Sequence, residues 1–131
     1  MHWHAYTWFG NGQDLKHEAE RRPTSPDFPT SALPPMRTGD WLIKPRSRIA
    51  ETFADAVKAG EWMAAAYAAQ RPDSDRIPVV ERLVTSVDLL PRGVDVQWGE
   101  WLPGGRFITI GVICCPNRHV DHPCPQPPVT A

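Results

Sequence analysis

Between Ser47 and Gln70 apolar and small residues recur at intervals of three and four: Ile49, Phe53, Ala56, Val57, Gly60, Met63, Ala64 and Tyr67. That spacing lays them along one face of an α-helix. The pattern predicts a long helix over 47–70, capped by the Ser47 hydroxyl and stopped at RPDSD, where Pro72 disfavours helical backbone in the residue before it. From Val79 the period reads as two. In VVERLVTSVDLL, Val79, Leu83, Val87 and Leu89 share a face, and in GVDVQWGEWL, Val94, Val96 and Trp98 do. RFITIGVICC is almost continuously apolar, as a strand covered on both faces should be. The links are short, and LPRG and LPGG carry Pro and Gly where tight turns favour them. The expected fold is α+β: an antiparallel three-stranded meander over 79–114, with strands 79–90, 93–102 and 105–114, packed against the one long helix.

The N-terminal MHWHAYTWF also alternates. His2, His4 and Tyr6 fall on one side and Trp3, Ala5 and Thr7 on the other, so a strand here extends the sheet until GNG ends it. QDLKHEAERR offers too narrow an apolar stripe for more than a short helix or loop. Pro23–Pro35 contains five prolines, which forbid a regular helix and suit an irregular loop wrapped over the domain. TGDWLIKP, 38–45, reads as a short strand. The organisation expected is a single domain over 1–131, with the Pro-rich loop at 23–35 and a tail rich in Pro, Cys and His at 114–131.

Composition narrows the function classes more than it selects one. Fourteen Lys plus Arg against fifteen Asp plus Glu leave a formal charge of −1, too little for a global field that draws the chain to nucleic acid. No apolar run approaches the roughly 18–20 residues of a membrane span, and the N-terminus lacks the basic and apolar regions of a secretory signal. Three cysteines gathered at one end do not form the framework of a secreted disulfide scaffold. These features predict a cytoplasmic protein. Eleven of the fourteen basic residues are Arg, a composition that suits a GC-rich bacterial genome.

The chemistry concentrates in CCPNRHVDHPC, 114–124, which holds all three cysteines and two of the five histidines. Zinc asks for four soft or borderline ligands, and nearby ligands converge at low entropic cost. Cys115, His119, His122 and Cys124 supply such a set, with His2 or His4 from the N-terminal strand able to replace one ligand. A metal shared by both termini would pin the tail. NRHVDH also resembles part of the H-x-H-x-D-H signature of metallo-β-lactamase-fold hydrolases, over six residues and with Asn117 in place of the first His. The residues themselves leave the alternative of a metal-dependent hydrolase in which His119, Asp121 and His122, joined by His2 and His4, bind a catalytic ion that activates water. A further alternative is a small-ligand-binding domain without metal.

Two surfaces complete the sequence reading. Trp62 lies opposite Phe53 on the helix among small alanines, and Trp41 sits in RTGDWLIKPRSR; both are expected to contact a protein partner or a second copy of the chain. Lys44, Arg46 and Arg48 form a local basic patch suited to an anion or a nucleic-acid backbone. The leading expectation is a small binding or regulatory protein acting through an aromatic partner surface, with a structural zinc site near the C-terminus.

Overall fold

The computed structural model describes residues 1–70 and 77–126. Strand β1 runs His2–Asn11, β2 Glu51–Phe53, β3 Val96–Leu102 and β4 Arg106–Cys115; helix α1 runs Ala56–Gln70 and α2 Val79–Leu89. The strands form one antiparallel sheet in the order β2-β1-β4-β3. The α+β class holds, and β1 joins the sheet as its alternation predicts.

Register explains why the sheet has two different faces. Directly paired residues of antiparallel strands project to the same side. Trp3, Ala5, Val112, Cys114, Val96 and Trp98 therefore share a face with Ile108 and Ile110, and Ala56, Ala59, Met63 and Tyr67 of α1 close over it. His2, His4, Tyr6, Ile113 and Cys115 point the other way. There Tyr6, Ile113 and Cys115 pack with Trp41 and Leu42, and the C-terminal segment supplies Val120 and Cys124 to the same cluster. β4 is thus almost continuously apolar because both its faces are covered from Ile108 onward, as its sequence implies.

Three element assignments differ from the sequence reading. Residues 79–89 form helix α2 rather than the first strand of a meander. Val79, Leu83 and Val87 are four apart, a spacing that satisfies a strand's period of two and a helix's period of 3.6 equally. Packing decides between them. A Cβ on Gly60 would lie 2.8 Å from Val87 Cγ2 and 2.9 Å from Leu83 Cδ1, so α1 offers α2 a notch that its side chains fill. Trp98 Nε1 then donates to Ser86 Oγ at 3.1 Å, tying α2 to β3.

The long helix begins nine residues later than expected. Asp55 caps α1, its Oδ1 accepting from the N–H groups of Val57 at 2.7 Å and Lys58 at 3.1 Å. Ser47 instead lies in a 3-10 turn, Arg46–Arg48, and 51–53 pair with β1 as β2. Thr38–Ile43 is likewise a 3-10 helix rather than a strand, which buries Asp40, Trp41 and Leu42 together. The turn at LPGG follows the sequence: Gly104 has φ 77° and ψ 20°, the geometry of the third position of a type II turn, where a side chain would be strained. The expected helix stop, RPDSD, and residues 127–131 of the tail lie outside the described residues.

The Pro-rich segment is held by specific bonds. Lys44 is buried, its ammonium donating to the carbonyls of Phe28 and Ser31, both at 2.8 Å, and lying 3.9 Å from the centre of the Phe28 ring. Arg21 adds bonds to the carbonyls of Pro34 and Leu15, both at 2.7 Å. These donors serve backbone acceptors that the prolines leave without ladder partners.

Candidate metal centre

Four donor side chains from three parts of the chain meet at one end of the sheet. His2 and Cys115 are direct partners across β1 and β4, and His4, two residues along β1, projects to the same face. The tail brings Cys124 over them. One ligand atom from each of His2, His4, Cys115 and Cys124 lies within 4.8 Å of every other. The Cys124 sulfur is 3.1 Å from His2 Nε2 and 3.3 Å from His4 Nε2. The two imidazoles stand nearly perpendicular, at 82°, with centroids 4.9 Å apart, so both point their Nε2 atoms at one region without stacking.

Zn–S bonds of about 2.3 Å and Zn–N bonds of about 2.0–2.1 Å at tetrahedral angles place sulfur and nitrogen roughly 3.5 Å apart. The two observed S···N separations are a few tenths of an ångström shorter, and a small outward movement of Cys124 would match them. Support for the ligands is already in place. Thr52 Oγ1 lies 2.9 Å from His4 Nδ1, so that nitrogen can carry the proton while Nε2 keeps its lone pair for the site. The Cys124 thiol donates to the Gln126 carbonyl at 3.2 Å.

Electrostatics disfavour a proton on each imidazole, which leaves a ring lone pair free. Burial, reinforced by the neighbouring His2, lowers the His4 pKa to about 4, so its ring is neutral at neutral pH. Burial and the N-terminal ammonium also lower His2. Cys115 moves the other way: burial, then the hydrogen bond and charge of Cys124, raise its pKa to about 12. Two thiolates with two neutral imidazoles carry two negative charges, which a dication cancels. A neutral complex is the form that a buried site tolerates best.

The tail that delivers Cys124 is itself docked. His122 Nε2 lies 2.9 Å from Asp40 Oδ1, and Arg37 donates to both oxygens of the same carboxylate at 3.1 and 2.9 Å. Burial by itself would raise the Asp40 pKa, but the hydrogen bonds of Arg37 and His122 reverse this and hold it below the usual value. Val120 packs against Gly39, where a Cβ would stand 2.8 Å from both valine methyls. Asn117 builds the preceding turn: its side chain donates to Asp95 and accepts from the N–H groups of His119 and Val120 at 2.9 and 3.1 Å.

Of the four ligands expected from the 114–124 segment, Cys115 and Cys124 converge. His119 is exposed, and His122 belongs to the Asp40 contact, so His2 and His4 occupy the two histidine places. The physical reason is strand pairing: it delivers residues 113 positions apart more directly than a tail can fold back on itself. Among the described residues the convergent donor group includes none of His119, Asp121 and His122. Cys114 faces the opposite side of β4, in the core beneath α1. The H-x-H of β1 was the available signal, because residues two apart on a strand share a face.

The other predicted surfaces also change. Trp41 is only 1% exposed; its ring stacks on Tyr6 at 4.9 Å and its Nε1 donates to Gln97 Oε1 at 2.9 Å, so it is a core residue. Trp62 is half-buried beside Phe53. Lys44 is committed to the Pro-rich loop, Arg48 bonds the Thr30 carbonyl at 3.1 Å, and Arg46 alone of the three is exposed. No helix among the described residues is long and apolar enough to cross a membrane.

No family model, curated protein or solved structure matches the chain.

Proposed function

We propose that this chain is a metal-binding protein in which His2, His4, Cys115 and Cys124 hold one zinc ion as a structural site. The observation that carries the reading is the convergence of two imidazoles and two thiols from the two ends of the chain within 4.8 Å. Zinc suits the donor set because it accepts mixed nitrogen and sulfur ligands in a tetrahedron and needs no redox partner. Four protein donors close the coordination shell and leave no place for a substrate or an activated water. The role is therefore to fasten, coupling the tail at Cys124 to the β1–β4 pair, in keeping with a small binding or regulatory protein rather than a hydrolase.

Metal content of the untagged protein, measured by inductively coupled plasma mass spectrometry, tests this directly. About one zinc per chain, lost in Cys115→Ser and His4→Gln but retained in His119→Ala, supports the reading. A wild-type chain that takes up no zinc under reducing conditions refutes it. X-ray absorption then counts the shell: two sulfurs and two nitrogens fit a structural site, and a bound water fits the catalytic alternative.

A further inference from the structure

Tyr6 continues the row of His2 and His4 along β1 and belongs to the same packed cluster as Cys115 and Cys124. The side chain is wholly buried, and its position is fixed by the stack on Trp41, whose planes differ by 16°. Its hydroxyl is the one buried side-chain polar atom without a hydrogen-bond partner among the described residues. An unmet buried hydroxyl costs about 1–3 kcal/mol, and such groups are rare enough in folded proteins to require a reason.

The neighbouring sulfurs supply one. A neutral thiol is a poor acceptor, and the Cys124 thiol already donates elsewhere, to the Gln126 carbonyl. A metal-bound thiolate is different: it carries negative charge, has no proton of its own and accepts a charge-assisted hydrogen bond. Resting on the metal reading above, we propose that Tyr6 is a positioning and tuning residue of the site, its hydroxyl donating to a cysteine sulfur, Cys115 or Cys124, once that sulfur is bound to the metal. The unpaired hydroxyl is then the donor of a bond made on loading. The residue acts on the two states with opposite sign, which separates it from an ordinary core tyrosine.

The test is Tyr6→Phe, which keeps the ring and its stack on Trp41 and removes only the oxygen. In chelator competition the variant should bind zinc roughly three- to tenfold more weakly than wild type, while its metal-free form is as stable as wild type or more so in urea. With cobalt as the probe, the sulfur-to-metal charge-transfer band of the variant should shift, because the donor no longer withdraws charge from the thiolate. A measurement on the unmutated oxygen guards against a variant that misfolds. The chain has two tyrosines, so tyrosine labelled with carbon-13 at Cζ gives two resonances, and Tyr67→Phe assigns them. The Tyr6 resonance should move on zinc addition.

Equal zinc affinity in wild type and Tyr6→Phe, or a Tyr6 Cζ signal that zinc leaves in place, would overturn this proposal and leave the site standing. A wild-type chain that binds no zinc would remove the site and the proposal together.

Discussion

Thr52 Oγ1 lies 2.9 Å from Nδ1 of His4 across the β1–β2 pair, and the opposite nitrogen of the same ring faces the Cys124 sulfur at 3.3 Å. The short strand β2 thereby fixes which edge of the imidazole enters the site. Supporting partners of this kind typically change metal affinity 10- to 100-fold when removed. Thr52→Val keeps the shape and deletes the oxygen, and it should weaken zinc binding by about tenfold in chelator competition. An affinity equal to that of wild type would show that packing alone orients the ring.

The metal should fasten the two ends of the chain to each other. Chelation is expected to lower the thermal midpoint, because binding to the folded state alone stabilises it by about 4 kcal/mol at a thousandfold excess over Kd. Cys124→Ser should reproduce the chelated midpoint and respond to neither zinc nor chelator. His122→Ala should still bind zinc. If Cys124→Ser responds to zinc like wild type, Cys124 is not a ligand.

Acid should destabilise the metal-free protein in two stages. The folded His4 pKa is lowered to about 4 from an ordinary 6.5, so between these values the unfolded chain binds more protons than the folded one. Stability is then fully present above about pH 6.5 and is lost as pH falls towards 4, by on the order of 2–3 kcal/mol. The Asp40 pKa is also lowered, and as an acid it contributes stability that disappears only below its unfolded value, near 3.8. Urea unfolding of metal-free wild type and His4→Gln across pH 4–7 checks the first stage: the variant should show a flatter profile, and parallel profiles would contradict it.

Gly39 and Val120 set how the tail lies on the sheet. Gly39→Ala places a methyl 2.8 Å from both Val120 methyls, which must push the tail outward by a few tenths of an ångström. Overpacking of this kind costs about 1–3 kcal/mol. The variant should lose stability and zinc affinity together, since Cys124 follows Val120 by four residues. Val120→Ala in the same chain should restore part of both. A Gly39→Ala protein with wild-type melting and binding would mean that the tail accommodates the methyl freely.

The opposite face offers a control. Trp98 Nε1 donates to Ser86 Oγ at 3.1 Å, and Ser86 in turn donates to the Arg82 carbonyl at 2.7 Å. Ser86→Ala leaves the buried indole donor unpaired and should cost about 1–3 kcal/mol in urea unfolding. Its zinc affinity should match wild type, because the whole sheet separates it from the site.

Local pattern alone is enough for those elements whose spacing answers to one period only. The alternation of β1, the two-sided apolar run of β4 and the turn at Pro103–Gly104 are local consequences of side-chain direction and backbone freedom, and they appear as expected. The tail also brings Cys115 and Cys124 together, as candidate donors, where its sequence placed them. Tertiary structure decided the rest. Val79, Leu83 and Val87 fit either period until Gly60 offers Leu83 and Val87 a notch, and 47–55 leave the helix because Asp55 caps it and 51–53 find β1 as a partner. The make-up of the candidate donor group follows the same rule. His119 and His122 are nearest to the cysteines along the chain, yet His2 and His4 reach them, because β1–β4 register sets His2 beside Cys115 and Asp40 holds His122 elsewhere. Strand pairing and tail docking are long-range contacts, selected by the free energy of the whole packed sheet, and no local pattern contains them.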